Sequence, residues 1–181
     1  MKIKIEFFSD WHCGSGLTSG ADIDLLCIKD ENGLPYIPGK TLKGLFREAA
    51  DIVINDDKFI SECFGKESEK ESSNNEKGIC YFSNAELSKN VKTDLINNKS
   101  KINLLFRKIS STAIDENGIA DEHSLRKIEV TIPLVLFAEI SDLPDKYIPQ
   151  MEKCLKFVKR IGTNRNRGLG RCNISVYKEE K

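Results

Sequence analysis

The chain has 181 residues, 39% of them hydrophobic and 31% charged, with 28 basic and 28 acidic side chains in balance. That length supports one domain with a sizeable core over residues 1–181, and zero net charge argues against a protein that binds nucleic acid over its whole surface. No apolar run approaches the ~20 residues that span a bilayer, and no signal-peptide pattern opens the chain, so a cytoplasmic protein with no membrane partner is expected.

Residues 2–8 alternate polar and apolar, the period of a half-buried strand. A glycine- and serine-rich loop follows, then an apolar run from Ile23 to Lys29. Asp30 to Gly33 carries turn chemistry, and Leu34 to Gly39 is an extended segment stiffened by Pro35 and Pro38. From Lys40 to Ile54 the apolar positions Leu42, Leu45, Phe46, Ala49, Ala50 and Val53 fall on one helical face. A short helical continuation is expected over Lys58–Phe64. The stretch 66–77 has no apolar residue and reads as a mobile surface loop.

Gly78 to Ser83 predicts a strand. A weakly patterned insertion is expected over about 85–127, with a polar helix near 89–98, a second helix at 101–108 and turns through Asp115–Gly118. Ile128 to Ile140 is the strongest strand candidate, with Pro133 marking a bulge or an edge. Pro149 to Ile161 predicts a basic amphipathic helix, 162–170 a loop, and Arg171 to Tyr177 a closing strand. The order fits an α+β, ferredoxin-like (RRM-like) βαββαβ core with a long insertion better than a doubly wound sheet.

The six cysteines, Cys13, Cys27, Cys63, Cys80, Cys154 and Cys172, stand singly with no C-x-x-C spacing, which predicts free thiols in the core and little support for zinc. Charge is uneven along the chain: from Gln150 to Lys181 there are nine basic and three acidic residues. Within that segment lies Gly162-Thr163-Asn164-Arg165-Asn166-Arg167-Gly168-Leu169-Gly170. Its three glycines let the backbone turn tightly and approach a ligand, while Arg165 and Arg167 offer guanidinium forks to phosphate and Asn164 and Asn166 add amides. The bland alternative is an ordinary helix-to-strand turn with a solvated arginine pair.

Other motifs are weaker. Gly39-Lys40-Thr41 is not a P-loop, because Leu34 stands where the first glycine belongs and two prolines remove amide donors. Gly14-Ser15-Gly16 leads into a strand-like run, not a helix, so it is no dinucleotide fingerprint. His12 reads first as a structural donor, and His123 as a solvated side chain. Lys43 and Arg47, four apart on the first helix, are candidates to line the same groove as the arginine loop. Asp22 and Asp24 flank Ile23; in a strand they share a face and suit a divalent cation such as Mg²⁺, against the alternative of a solvated pair that closes the loop.

These residues together resemble the RAMP superfamily, the RNA-binding subunits of type III CRISPR effector complexes. His12-Cys13-Gly14-Ser15-Gly16, with Ile23-Asp24 and Ile28-Lys29-Asp30, is similar to that family's histidine-glycine loop and hairpin. Leu34-Pro35-Tyr36-Ile37-Pro38-Gly39 with Leu42-Lys43-Gly44 and Arg47 closely resembles its L-P-x-I-P-G-x-x-L-K-G-x-x-R signature, and 162–170 resembles its C-terminal glycine-rich loop. Thr112 through Glu129 is similar to its projecting thumb. The resemblance implies binding of guide (cr)RNA and target RNA beside other effector subunits or copies of itself. It implies RNA contacts from His12, Lys43, Arg47, Gly162, Asn164, Arg165, Asn166, Arg167, Gly168 and Gly170. It also implies metal-dependent target cleavage at Asp24, six residues before the end of Ile28-Lys29-Asp30, or else a purely structural RNA scaffold. Because Gly78 to Phe82 lacks the aromatic RNP pattern, RNA is expected on loops and a helix, not stacked on the open sheet.

Overall fold

A computed structural model of the chain describes residues 1–18, 23–66, 77–121 and 123–178. Strand β1 (Lys2–Phe7) alternates as its sequence predicts, with Ile3, Ile5 and Phe7 buried and Lys2, Lys4 and Glu6 on the opposite face. Helix α1 (Gly39–Val53) buries Leu42, Phe46, Ala49 and Ala50. Its start is held by Asn84, whose Oδ1 accepts the Gly39 N–H at 2.9 Å. Helix α2 (Asp57–Phe64) is a separate element, not a continuation, because Asp56 caps it by accepting from the Lys58 and Phe59 amides.

Strand β2 (Tyr81–Phe82), helix α3 (Lys89–Asn97), strands β3 (Phe106–Ser111), β4 (Arg126–Thr131) and β5 (Val135–Ser141), helix α4 (Ile148–Phe157) and strand β6 (Cys172–Val176) follow. The main sheet has the order β2-β5-β1-β6, every neighbouring pair antiparallel. Facing residues such as Ile5 and Leu136, or Phe7 and Cys172, stack one buried face. Helices α1 and α4 pack together over that face. A run of rings, Phe46, Phe82, Phe64, Phe59 and Tyr147, with successive centroids 5.1–6.1 Å apart, joins α1, β2 and α2 into one core. All six thiols are free and buried.

Strands β3 and β4 form a second, two-stranded sheet whose far end projects from the body. The structure departs from the sequence pattern in two elements. The single strand expected over Ile128–Ile140 is two strands in two sheets: Thr131 pairs with Phe106, while Val135 pairs with Glu6. Pro133 lies at the break, and having no N–H it donates to neither ladder. The helix expected at 101–108 is a 3-10 segment, Lys99–Leu105, after which the chain becomes β3 by pairing with β4. The run Ile23 to Lys29 is extended but makes only isolated bridges, from Leu25 to Ile128, Cys27 to Gly14 and Lys29 to Pro35. Asp22 and nearly all of the 66–77 loop lie outside the described residues. No helix among the described residues is long and apolar enough to cross a membrane.

Candidate nucleic-acid interface

The loop between α4 and β6 is built from backbone that only glycine fits easily. Gly162 has φ +99° and Gly170 φ +72°; a Cβ at the first would lie 2.3 Å from the His12 carbonyl oxygen, and at the second 1.9 Å from that of Ile161. Asn164 is also left-handed, at φ 56°, and opens a single 3-10 turn over Arg165–Arg167. The base is closed by the Ile161 amide donating to Gly170, and the loop is strapped to the end of β1. Thr163 N–H donates to His12, Gly170 N–H to Asp10, and Arg171 N–H to the Ser9 hydroxyl, at 2.6–2.9 Å. Arg165, Asn166 and Arg167 are therefore displayed outward on a fixed base, and all three are exposed.

More cations converge here than the loop alone contains. Lys159 and Arg160 pair across the loop's neck with Cys172 and Arg171. Arg160 donates through Nη1 to the Arg165 carbonyl, tying the neck to the turn. A cleft of about 480 Å³ beside the loop is lined by Lys159, Arg160, Arg165 and Asn166 with Phe157 and Val158 of the α4 end and Leu45, Glu48 and Ala49 of α1. Among the described residues, none of Lys159, Arg160, Arg165, Arg167 and Arg171 has a carboxylate within ion-pair distance. Five cations gathered in one place, with Glu48 the one acid lining the adjoining cleft and none of the described carboxylates within ion-pair distance, make a surface that attracts an external anion. Sequence order hid this grouping, because it depends on residues 159–160 folding back beside 171–172; the excess of basic residues after Gln150 was the one available signal.

His12 sits under the loop and not on the surface. Its ring is 1% exposed, and Nδ1–H donates to the Glu129 carbonyl at 2.6 Å. The side chain thus offers no edge to a ligand, while its carbonyl is the floor on which Gly162 and Thr163 rest. Glu129 is the hub beneath. Its carboxylate accepts from the Cys27 amide at 3.0 Å and from Lys29 Nζ at 2.8 Å, and Lys29 lies 4.0 Å from the centre of the Phe106 ring. Asp10 joins the loop to the projecting hairpin: its carbonyl holds Gly170, and its carboxylate takes a two-pronged contact from Arg107 of β3. Neither Glu129 nor the Asp10–Arg107 pair is marked by any motif.

Lys43 and Arg47 are not brought to the loop cleft, which α1 meets with Leu45, Glu48 and Ala49. Lys43 is instead close enough to Cys80 to act on its thiol electrostatically. Asp24 is exposed beside the outer end of the β3–β4 ladder, where Lys127 pairs with Ser110, and one of its carboxylate oxygens accepts the Lys127 amide at 2.7 Å. Among the described residues no group of three or more His, Cys, Asp or Glu side chains is placed to hold a metal ion. Asp24 therefore belongs to no such three-residue cluster among the described residues.

The overall fold is similar to solved structures of known assemblies. One neighbour, in the cryo-EM structure of the type III-B Cmr-beta bound to cognate target RNA, superposes with a TM-score of 0.71 at 14% identity, covering 96% of this chain and 95% of the other. Another, in the type III-B Cmr-beta apo state, gives 0.70 at 14% identity over 98% and 97%. No curated protein matches the sequence. The sequence model of the RAMP superfamily matches residues 4–173, from β1 to the start of β6. The chain belongs to the RAMP superfamily.

Proposed function

We propose that this chain is an RNA-binding subunit of a CRISPR effector complex, holding guide (cr)RNA by its phosphates on the 159–171 surface and helping to present it to target RNA. The observation that carries this reading is the set of five cations that have no ion-pairing carboxylate among the described residues, gathered on and beside a glycine-shaped loop fastened to the core. Contacts to phosphate position a strand without reading its sequence, so little base preference is expected. The resemblance to type III-B Cmr-beta subunits, one of them in a structure bound to cognate target RNA, supports the choice of ligand and the expectation of neighbouring subunits.

The core is read as ferredoxin-like. Elements β1-α1-β2 and β5-α4-β6 in a sheet ordered β2-β5-β1-β6 support that reading. Residues 85–127 separate the sheet neighbours β2 and β5, as an insertion would, and the β3–β4 hairpin within and beside them is the candidate thumb. Cleavage of target RNA at Asp24 is a second reading, favoured only by its exposed position beside that hairpin; it predicts that Asp24→Ala abolishes cutting by the assembled complex, and unchanged cutting removes it.

The RNA-binding reading is tested by changing Arg165 and Arg167 together to alanine and titrating RNA across a salt series. Two lost phosphate contacts to a single strand should make the slope of log K against log salt shallower by about 1.4 and weaken binding to all sequences alike. Equal affinity for both proteins would sink it.

A further inference from the structure

We infer that Phe8, with the cations that surround it, forms a stacking site for an unpaired base of the strand that crosses the glycine loop; the inference rests on the RNA-binding reading above and states that the bound strand is single at this point. At the end of β1 the alternation places Phe7 inward, stacked on Trp11 with ring centroids 4.7 Å apart, and turns Phe8 out. Phe8 is 52% exposed, and the backbone that carries it is pinned, its amide donating to the Arg171 carbonyl at 2.8 Å. The Arg171 guanidinium lies 5.8 Å from the ring centre. A cleft of about 400 Å³ is lined by Phe8, Lys159, Arg160, Arg171, Cys172 and Asn173, with no carboxylate among them.

An exposed apolar ring on pinned backbone in a field of positive charge suits a ligand with both a π-face and an anionic backbone. A nucleotide has both, and base-on-aromatic stacking is tolerant of base identity. Continuity fixes the source of that nucleotide. Lys159 and Arg160 line both this cleft and the one beside Arg165 and Asn166, so a strand whose phosphates follow the loop is led to Phe8. A duplex keeps its bases stacked on one another and has no face to offer, so the site selects a single strand.

The test compares the full-length protein with Phe8→Ala, Phe8→Trp and the Arg165→Ala/Arg167→Ala double variant, using a ten-nucleotide oligouridine and an RNA duplex of equal length. Phe8→Ala should weaken oligouridine binding roughly tenfold with the salt slope unchanged, because stacking releases no counterions, and leave duplex binding as it was. Phe8→Trp should bind as tightly as the parent, with its added fluorescence quenched by the oligonucleotide. Unchanged oligouridine affinity in Phe8→Ala, or equal loss for both RNAs, overturns the stacking site. If Phe8→Ala is silent while the arginine variant weakens binding, the stacking site alone fails. If the arginine variant is silent while Phe8→Ala weakens binding, the loop reading fails and the base contact stands; no binding by the parent overturns both.

Discussion

A methyl group on Gly170 would press against the Ile161 carbonyl at 1.9 Å, in a left-handed backbone that side chains resist. Gly170→Ala should therefore cost about 2 kcal/mol, read as a lower urea midpoint with an unchanged m-value. The thiols give a prediction of a different kind. Burial pushes Cys13 and Cys172 up to about 12 and Cys27 and Cys154 up to about 11, from the ordinary 9.0. In the folded state these thiols keep their protons when the unfolded chain has begun to lose them. Their contribution to stability is thus complete below about pH 9 and falls as pH rises from there towards 11–12. Urea midpoints measured from pH 8 to 11 should decline, and native protein at pH 8 should resist iodoacetamide that labels the unfolded chain quickly. At this scale the sequence was readable where a residue type has one use. The loop glycines and the single apolar-flanked cysteines were legible. Glu129 was not, because an acid in a strand reads as outward-facing, and only the approach of Cys27 and Lys29 makes its burial tolerable.

Among elements, the β3–β4 hairpin depends on a contact that neither strand predicts. Asp10, nearly buried at the end of β1, receives both prongs of Arg107 while its carbonyl anchors the glycine loop. One short segment therefore positions the arm and the basic loop together. A double-mutant cycle of Asp10→Asn and Arg107→Gln should show a favourable coupling, modest because the guanidinium is exposed to solvent and screened by salt. Amide exchange in β3 should rise in either variant while β1 and β5 stay protected. No coupling would mean the arm is held by other contacts. The helices α1 and α4 were visible in sequence because 3.6-residue periodicity survives without knowledge of partners, whereas α3 showed only as a polar helix in a weakly patterned stretch. Strand β3 was not, since Phe106–Ser111 has little burial on either face and is a strand because Arg126–Thr131 pairs with it. The break at Pro133 was seen as an irregularity, but that the two halves enter different sheets is a tertiary fact.

For the whole molecule, zero net charge conceals a separation of tasks. The core is shared by α1, α4 and one face of the main sheet, whereas the cations of the neck and loop before β6 are exposed. Stability and RNA binding should therefore come apart. Phe46→Ala, at the centre of the ring cluster, should lose about 3–5 kcal/mol, while the Arg165→Ala/Arg167→Ala protein should unfold within about 0.5 kcal/mol of the parent despite its weakened binding. A large loss of stability in the arginine variant would place that loop in the folding core. The sequence by itself determined the inward residues of β1 and most of those of α1, the glycine positions and the local excess of positive charge, because periodicity, backbone freedom and charge are properties of neighbours along the chain. The tertiary structure alone decided that Lys159, Arg160 and Arg171 join the loop arginines, that Phe8 lies among them, and that His12 is a buried support while Lys43 and Arg47 face elsewhere. Those outcomes depend on distances between segments far apart in sequence, which are set only when the chain folds.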